Sequence, residues 1–129
     1  MIKLIIFDLD GVLIDSIHNM KYAWHNTCKK FDIKVPFKNY KKLIGLPFFE
    51  ILKQLKIEKK KFNIIYKNYN YYSLKKINFV KIRKKDLKIL KNLKKEGFIL
   101  GLFTSKNRDR SIKILKKDQK LFDYKIFPN

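Results

Sequence analysis

The sequence predicts an α/β fold, a parallel β-sheet with a helical segment inserted after its first strand. Three observations predict it. An apolar run, Ile2 to Phe7, ends on the aspartates Asp8 and Asp10. A second apolar run, Ile99 to Phe103, ends on Thr104 and Ser105. Between and after these runs the apolar residues recur at helical spacing, so strands and helices alternate, as they do in a sheet with crossover helices.

Taken in order, Ile2 to Phe7 is short and nearly continuously apolar, the pattern of a strand buried on both faces. Gly11 permits a tight turn after it. From Ser16, a residue type suited to an N-cap, Ile17, Met20, Trp24, Thr27, Cys28 and Phe31 follow at three- and four-residue steps and form one helical stripe. Pro36 ends that unit. A helix is predicted after Pro47, with Phe48, Ile51, Leu52 and Leu55 on one face, and the basic, aromatic stretch from Lys59 to Tyr72 is also read as helical. Asp86 opens the clearest helix. Leu87, Ile89, Leu90 and Leu93 supply its buried face, and Gly97 sits at its C-terminal cap. A further helix covers Arg108 to Lys117, and a third strand begins at Tyr124 and runs to Phe127. A crossover between parallel strands needs one helix, so the stretch 15–82 is too long for that purpose. It is read as an inserted helical cap on a core made of residues 1–14 and 83–129.

The 129 residues suit one domain with a small insertion, and a hydrophobic content of 46% is enough for a core. Cys28 is the single cysteine, so no internal disulfide forms, which fits a reducing, cytoplasmic setting. No stretch approaches the ~20 apolar residues of a membrane span. The net charge of +21 is extreme and raises nucleic acid as a partner. Arg83, Arg108 and Arg110 are the only arginines, however, and arginine is the better fork for phosphates and base edges. The charge is also spread along the chain, and the abundant Lys, Asn, Ile, Tyr and Phe all have codons rich in A and T. A dedicated nucleic-acid role is therefore disfavoured, though it stands as the alternative from another functional class.

Asp8 and Asp10 carry the most information. Residues two apart on a strand point the same way, so both carboxylates project from the carboxyl end of a parallel strand, the edge where open α/β sheets bind ligands. Two close carboxylates repel each other and call for a cation or a shared proton, and oxygen ligands of this kind suit Mg²⁺. One carboxylate can attack phosphorus while the other moves protons. An Asp pair that merely caps a turn is the plainer reading; Gly11 and the surrounding pattern weigh against it. Thr104 is either a functional hydroxyl or the N-cap of the next helix. Lys106 is placed to meet a substrate phosphate and is otherwise a surface lysine. His18 and His25 read as a solvated face, and Trp24, Phe31, Phe48 and Phe49 as packing residues.

The segment Phe7-Asp8-Leu9-Asp10-Gly11-Val12-Leu13-Ile14-Asp15-Ser16 resembles the first motif of the haloacid dehalogenase superfamily, in the form used by its small-molecule phosphatases. Phe103-Thr104-Ser105-Lys106 resembles the second motif. The intervening segment, including Gly45-Leu46-Pro47, is similar to the helical cap of phosphoglycolate phosphatase and β-phosphoglucomutase relatives. The resemblance implies a Rossmann-like core and a Mg²⁺-dependent phosphatase acting on a small phosphorylated metabolite. In it, Asp8 attacks phosphorus and becomes an aspartyl-phosphate, while Asp10 protonates the leaving alcohol and then activates water. The Asp8 carboxylate and the Asp10 backbone carbonyl hold Mg²⁺. Thr104 binds the transferring phosphoryl group, with Gly11, Ser105 and Lys106 around it.

The sequence departs from that pattern in one respect. The family's third-motif lysine and fourth-motif acidic residues are expected beyond Asn129. Lys116, Lys117, Lys120 and Lys125 come too early, and Asp109, Asp118 and Asp123 are isolated. The alternative to an active phosphatase is thus a truncated, catalytically impaired fragment of the fold. Such a fragment would leave one edge of the first strand unpaired, and it is expected to self-associate through that edge.

Overall fold

A computed structural model describes residue 1 and residues 3–128. The chain forms two compact units. One runs from the chain's start to Ser16 and resumes at Asn78; the other is Ile17–Ile77.

The first unit is built on a parallel sheet of three strands in the order β1-β2-β3: β1 (Leu4–Phe7), β2 (Ile99–Phe103) and β3 (Tyr124–Ile126). Leu4 pairs with Ile99 and Phe7 with Leu102, while Gly101 pairs with Tyr124 and Phe103 with Ile126. The expected first strand residue Ile2 lies outside the described residues. β2 is the central strand, and its Leu100 and Leu102 are buried. The expectation that the first strand is covered on both faces does not hold among the described residues. Leu4 and Ile6 are 46% and 63% exposed, and Phe103, Tyr124 and Ile126 stand beside them, lining a groove of about 270 Å³. The run is apolar on both sides, but strand alternation turns every second side chain to a face that no described element covers.

After β1 the chain closes a tight loop. The Leu9 carbonyl accepts from the backbone N–H groups of Val12, Leu13 and Ile14, and the Gly11 N–H donates to the Ile14 carbonyl at 2.9 Å. Gly11 has φ +76°, a backbone conformation that costs glycine nothing. Ile14 bridges Ile82 in antiparallel fashion, and the Arg83 N–H donates to the Leu13 carbonyl. Residues 78–82 are therefore bound to the first unit, earlier than the boundary expected at residue 83.

The helix Lys84–Lys95 follows, with Asp86 in its first turn, where a negative charge offsets the helix dipole. Its C-terminus closes as a Schellman motif: Gly97 at φ +87° donates to the Lys94 carbonyl and Phe98 to the Leu93 carbonyl. Leu90 is buried, but Ile89 is 53% exposed rather than part of the buried face, because it sits one residue off the stripe. Arg108–Leu115 is also helical and passes into a 3₁₀ segment, Lys116–Leu121. Asp123 ties the two parts together. Its carboxylate accepts from the Leu100 N–H at 2.9 Å and from Lys94 Nζ at 2.8 Å.

The second unit is helical: Ile17–Phe31, Phe37–Lys41, Phe48–Gln54 and Phe62–Lys75, with a 3₁₀ turn at Lys59–Lys61. The short Phe37–Lys41 helix, which starts from Pro36, has no counterpart in the periodicity of the sequence. The core joins Met20, Ala23, Trp24 and Cys28 to Tyr40, Ile51, Leu52, Ile65 and Tyr69. Asn19 and Trp24 are paired inside it, while the buried Asn70 Oδ1 has no hydrogen-bond partner among the described residues. Asn19 donates to the Ser73 carbonyl at 2.9 Å and accepts from the Ser73 hydroxyl at 2.8 Å, and Trp24 Nε1 donates to the Val35 carbonyl at 3.0 Å. Phe49, expected to be a packing residue, is 44% exposed.

Two stability measurements check this account. Leu52→Ala removes a fully buried side chain and should cost about 2–5 kcal/mol by urea denaturation; a loss within error of zero would show that the site is not packed as described. Asp123 is held below the ordinary carboxyl range, first by the Lys94 hydrogen bond and then by the Leu100 N–H. A depressed folded-state pKa gives stability that is present above the unfolded value and lost as pH falls through the folded one. The stability gap between the protein and Asp123→Ala should therefore narrow as pH drops below about 4. Melting curves from neutral to acid pH that keep a constant gap would refute it.

Candidate active site

Asp8 follows β1 directly and is exposed. Thr104 follows β2 directly and is 4% exposed. Because β1 and β2 are parallel neighbours in the register Phe7–Leu102, both residues leave the sheet at its carboxyl end. Asp8 Oδ1 accepts from the N–H of Leu9 at 2.7 Å, a local bond that braces the carboxylate at the strand end. Leu9 is fully buried and anchors the loop that carries Asp10.

Asp10 points inward. Its Oδ1 accepts from the Ser16 hydroxyl at 2.5 Å and from Lys106 Nζ at 3.1 Å. The Lys106 side chain is 1% exposed and that of Asp10 12%. Lys106 is thus a buried cation, and the default of a surface lysine is corrected. Burial pushes its pKa below the ordinary lysine value and the nearby Arg110 charge pushes the same way, while Asp10 opposes both. The lysine is drawn in by the loop after β2, where its backbone N–H donates to Thr104 Oγ1 at 3.0 Å. Thr104 therefore organises this loop rather than capping the next helix. The cap is Asn107, whose side chain accepts from the Arg110 N–H at 3.1 Å. Ser105 is half-buried and Gly11 exposed.

The structure thus brings Asp10 and Lys106 together, with Asp8 and Thr104 leaving the same sheet end. Sequence reasoning missed the place of Ser16, read only as a cap, and the burial of Lys106. Neither had a local signal, since one lysine does not stand out in a chain with 32 Lys and Arg. His18 and His25 are exposed. Asp109 is exposed in the first turn of its helix and Asp118 lies in the 3₁₀ segment. Lys125 donates to the backbone carbonyls of Gln119 and Phe122.

The hard oxygens that could hold a cation are the exposed Asp8 carboxylate and, as the family resemblance implies, the Asp10 backbone carbonyl, the Asp10 carboxylate being engaged by Ser16 and Lys106. That set fits Mg²⁺, which keeps several waters and uses one or two protein ligands plus substrate phosphate. Among the described residues no three or more His, Cys, Asp or Glu side chains converge, and no helix is long and apolar enough to cross a membrane.

A parallel sheet with an Asp-x-Asp loop after one strand and a threonine after its neighbour defines an α/β domain with its candidate site at the carboxyl end of the strands. The chain belongs to the haloacid dehalogenase-like hydrolase family, whose profile matches residues 5–126. Among solved structures, a protein assigned as a phosphatase from Clostridium difficile shares 30% identity at a TM-score of 0.72, covering 99% of this chain and 61% of its own. A predicted phosphatase from Clostridium acetobutylicum shares 25% at a TM-score of 0.85, covering 100% and 62%. A predicted phosphoglycolate phosphatase from Haemophilus somnus shares 22% at a TM-score of 0.74, covering 98% and 62%; at that identity the likeness is one of fold. The chain spans a little over three-fifths of the length of these structures. No curated protein matches it.

The donor set predicts weak metal binding. Titration calorimetry of the chain with Mg²⁺ alone should give a dissociation constant of about 1 mM or weaker. Tight stoichiometric binding would mean that a further carboxylate joins the site, and Asp109→Asn would be the first variant to test.

Proposed function

We propose that the chain acts as a Mg²⁺-dependent phosphoric monoester hydrolase on a small phosphorylated metabolite, through an aspartyl-phosphate at Asp8. The observation that carries this reading is the pair of carboxylates at one strand end. Asp8 is open to solvent, as a nucleophile must be, and Asp10 two residues on is held by Ser16 and Lys106, as a proton-transfer group must be. Family membership and the phosphatase neighbours support it.

In this reading Asp8 attacks phosphorus, and its Oδ–P bond forms as the bond from phosphorus to the leaving oxygen breaks. Asp10 delivers a proton to that oxygen, so the product leaves as a neutral alcohol. Asp10 then takes a proton from the water that hydrolyses the aspartyl-phosphate. Thr104 and the backbone N–H groups near Gly11 hold the phosphoryl oxygens, with Ser105 beside them and Lys106 turned to Asp10, so the chain's own contribution is positioning and charge balance. The Asp8 carboxylate and the Asp10 carbonyl would hold Mg²⁺, whose charge would offset the repulsion between a phosphate dianion and Asp8. Residues 15–82 are read as the cap whose loops select the substrate, with a sugar phosphate or a phosphoglycolate-like acid as the class to test first.

The nucleophile is tested by Asp8→Asn. Phosphate release from small monoesters in the presence of Mg²⁺ should fall by at least ~10³-fold. Retained turnover, or failure of fluoroberyllate to bind at Asp8, would overturn the assignment.

A further inference from the structure

A buried lysine on the site's second carboxylate is unusual, because removing an ammonium group from water is costly and the cost is met only by fixed partners. Lys106 spends its charge on a single oxygen, Asp10 Oδ1, at 3.1 Å, and the Ser16 hydroxyl donates to the same oxygen at 2.5 Å. The two donors come from the unit's two separate stretches of sequence. Ser16 closes the loop after β1, whereas Lys106 sits in the loop after β2, where its backbone N–H is fixed on Thr104 Oγ1. Arg110, itself 5% exposed, adds a second positive charge that weighs on Lys106.

Resting on the phosphatase reading, we propose that Lys106 and Ser16 are positioning residues for Asp10: by holding Oδ1 together they fix the carboxyl plane and leave Oδ2 as the oxygen that exchanges the proton with the substrate. Lys106 then acts through Asp10 rather than by contact with the phosphate. The step it serves is balanced: Asp10 Oδ2–H gives its proton to the oxygen leaving phosphorus as the Asp8–phosphorus bond forms. A carboxyl free to rotate would present that proton in only part of its orientations. The loss matters most where the leaving oxygen is strongly basic, because a good leaving group departs without a proton.

The experiment uses the full chain with Mg²⁺ and two probes, glycerol 1-phosphate with a basic alkoxide leaving group and p-nitrophenyl phosphate with a weakly basic phenolate. Lys106→Ala should lower kcat on glycerol 1-phosphate by about 10²-fold but by less than about 5-fold on p-nitrophenyl phosphate, with KM little changed. Ser16→Ala should show the same split to a smaller extent, and Lys106→Arg, which keeps a donor, should restore part of it. Equal losses on both substrates would mark a merely structural role, and a rise in KM alone would mark a phosphate ligand; either result overturns the proposal. Crystal structures of the protein and of Lys106→Ala read the clamp without turnover: the Asp10 carboxylate should leave its position in the variant, and an unchanged rotamer would overturn the proposal. If the protein hydrolyses neither probe, the phosphatase reading fails, and the crystallographic comparison still decides the clamp.

Discussion

The arrangement of the site depends on the parallel pairing of β1 with β2. The paired residues, Leu4 with Ile99 through Phe7 with Leu102, are distant in sequence, so forming this ladder closes a long loop of chain. That loop is filled by a helical unit with its own aromatic and aliphatic core, which limits the entropy lost on closure. Parallel pairing also sends both strands toward the same sheet edge. Asp8 and Thr104 therefore emerge together, and the loops behind them can exchange side chains. In an antiparallel pair, the residues following the two strands would lie at opposite ends of the ladder.

The contact between Asp10 and Lys106 is a consequence of that register, and it has a different physical standing from the chain's other ion pairs. The pair Lys34–Asp32 and the pairs of Glu58 with Lys60 and Lys61 are largely exposed, and such pairs contribute roughly 0–1 kcal/mol. The Lys106 pair lies in a region of low dielectric, where removing one partner costs about 3–5 kcal/mol while an apolar replacement of both can be neutral. Stability alone therefore gives no reason to keep the pair, and a fixed orientation of Asp10 does. Thr104 belongs to the same device, since its hydroxyl oxygen sets the loop from which Lys106 reaches inward.

The sequence was legible wherever a single element bears its own pattern. The helix Ile17–Phe31, with Met20, Trp24, Thr27 and Cys28 buried, follows the stripe read from its spacing, and the strand Ile99–Phe103 matches its apolar run. Gly97 fell at the helix end because few other residues tolerate φ +87° there. The aspartate pair was legible because its two carboxylates close an apolar run and are followed at once by Gly11. What was hidden depends on more than one element. The exposure of Leu4 and Ile6 is set by what covers the sheet, not by their own hydropathy. The place of Lys106 is set by Asp10, far away in sequence. Phe37–Lys41 has too few residues to show a period at all, and Ile89 lies in a leucine-rich run whose phase only the packing against it fixes.

The excess of lysine gains meaning from this contrast. With 32 basic and 11 acidic residues, the whole surface attracts anions, and an attraction so distributed raises the encounter rate with any phosphate ester while falling off within a Debye length of about 8 Å at physiological salt. It gives no preference for one part of the molecule over another. Discrimination has to come from charge that salt cannot screen, which means charge that is buried, oriented and tied to the reacting groups. In the first unit the Lys106 ammonium meets that description, with Arg110 beside it, and it is directed at Asp10 rather than at solvent. A chain rich in surface lysines thus has reason to bury one of them: the exposed ones act on every anion alike, and the buried one acts on a single carboxyl oxygen.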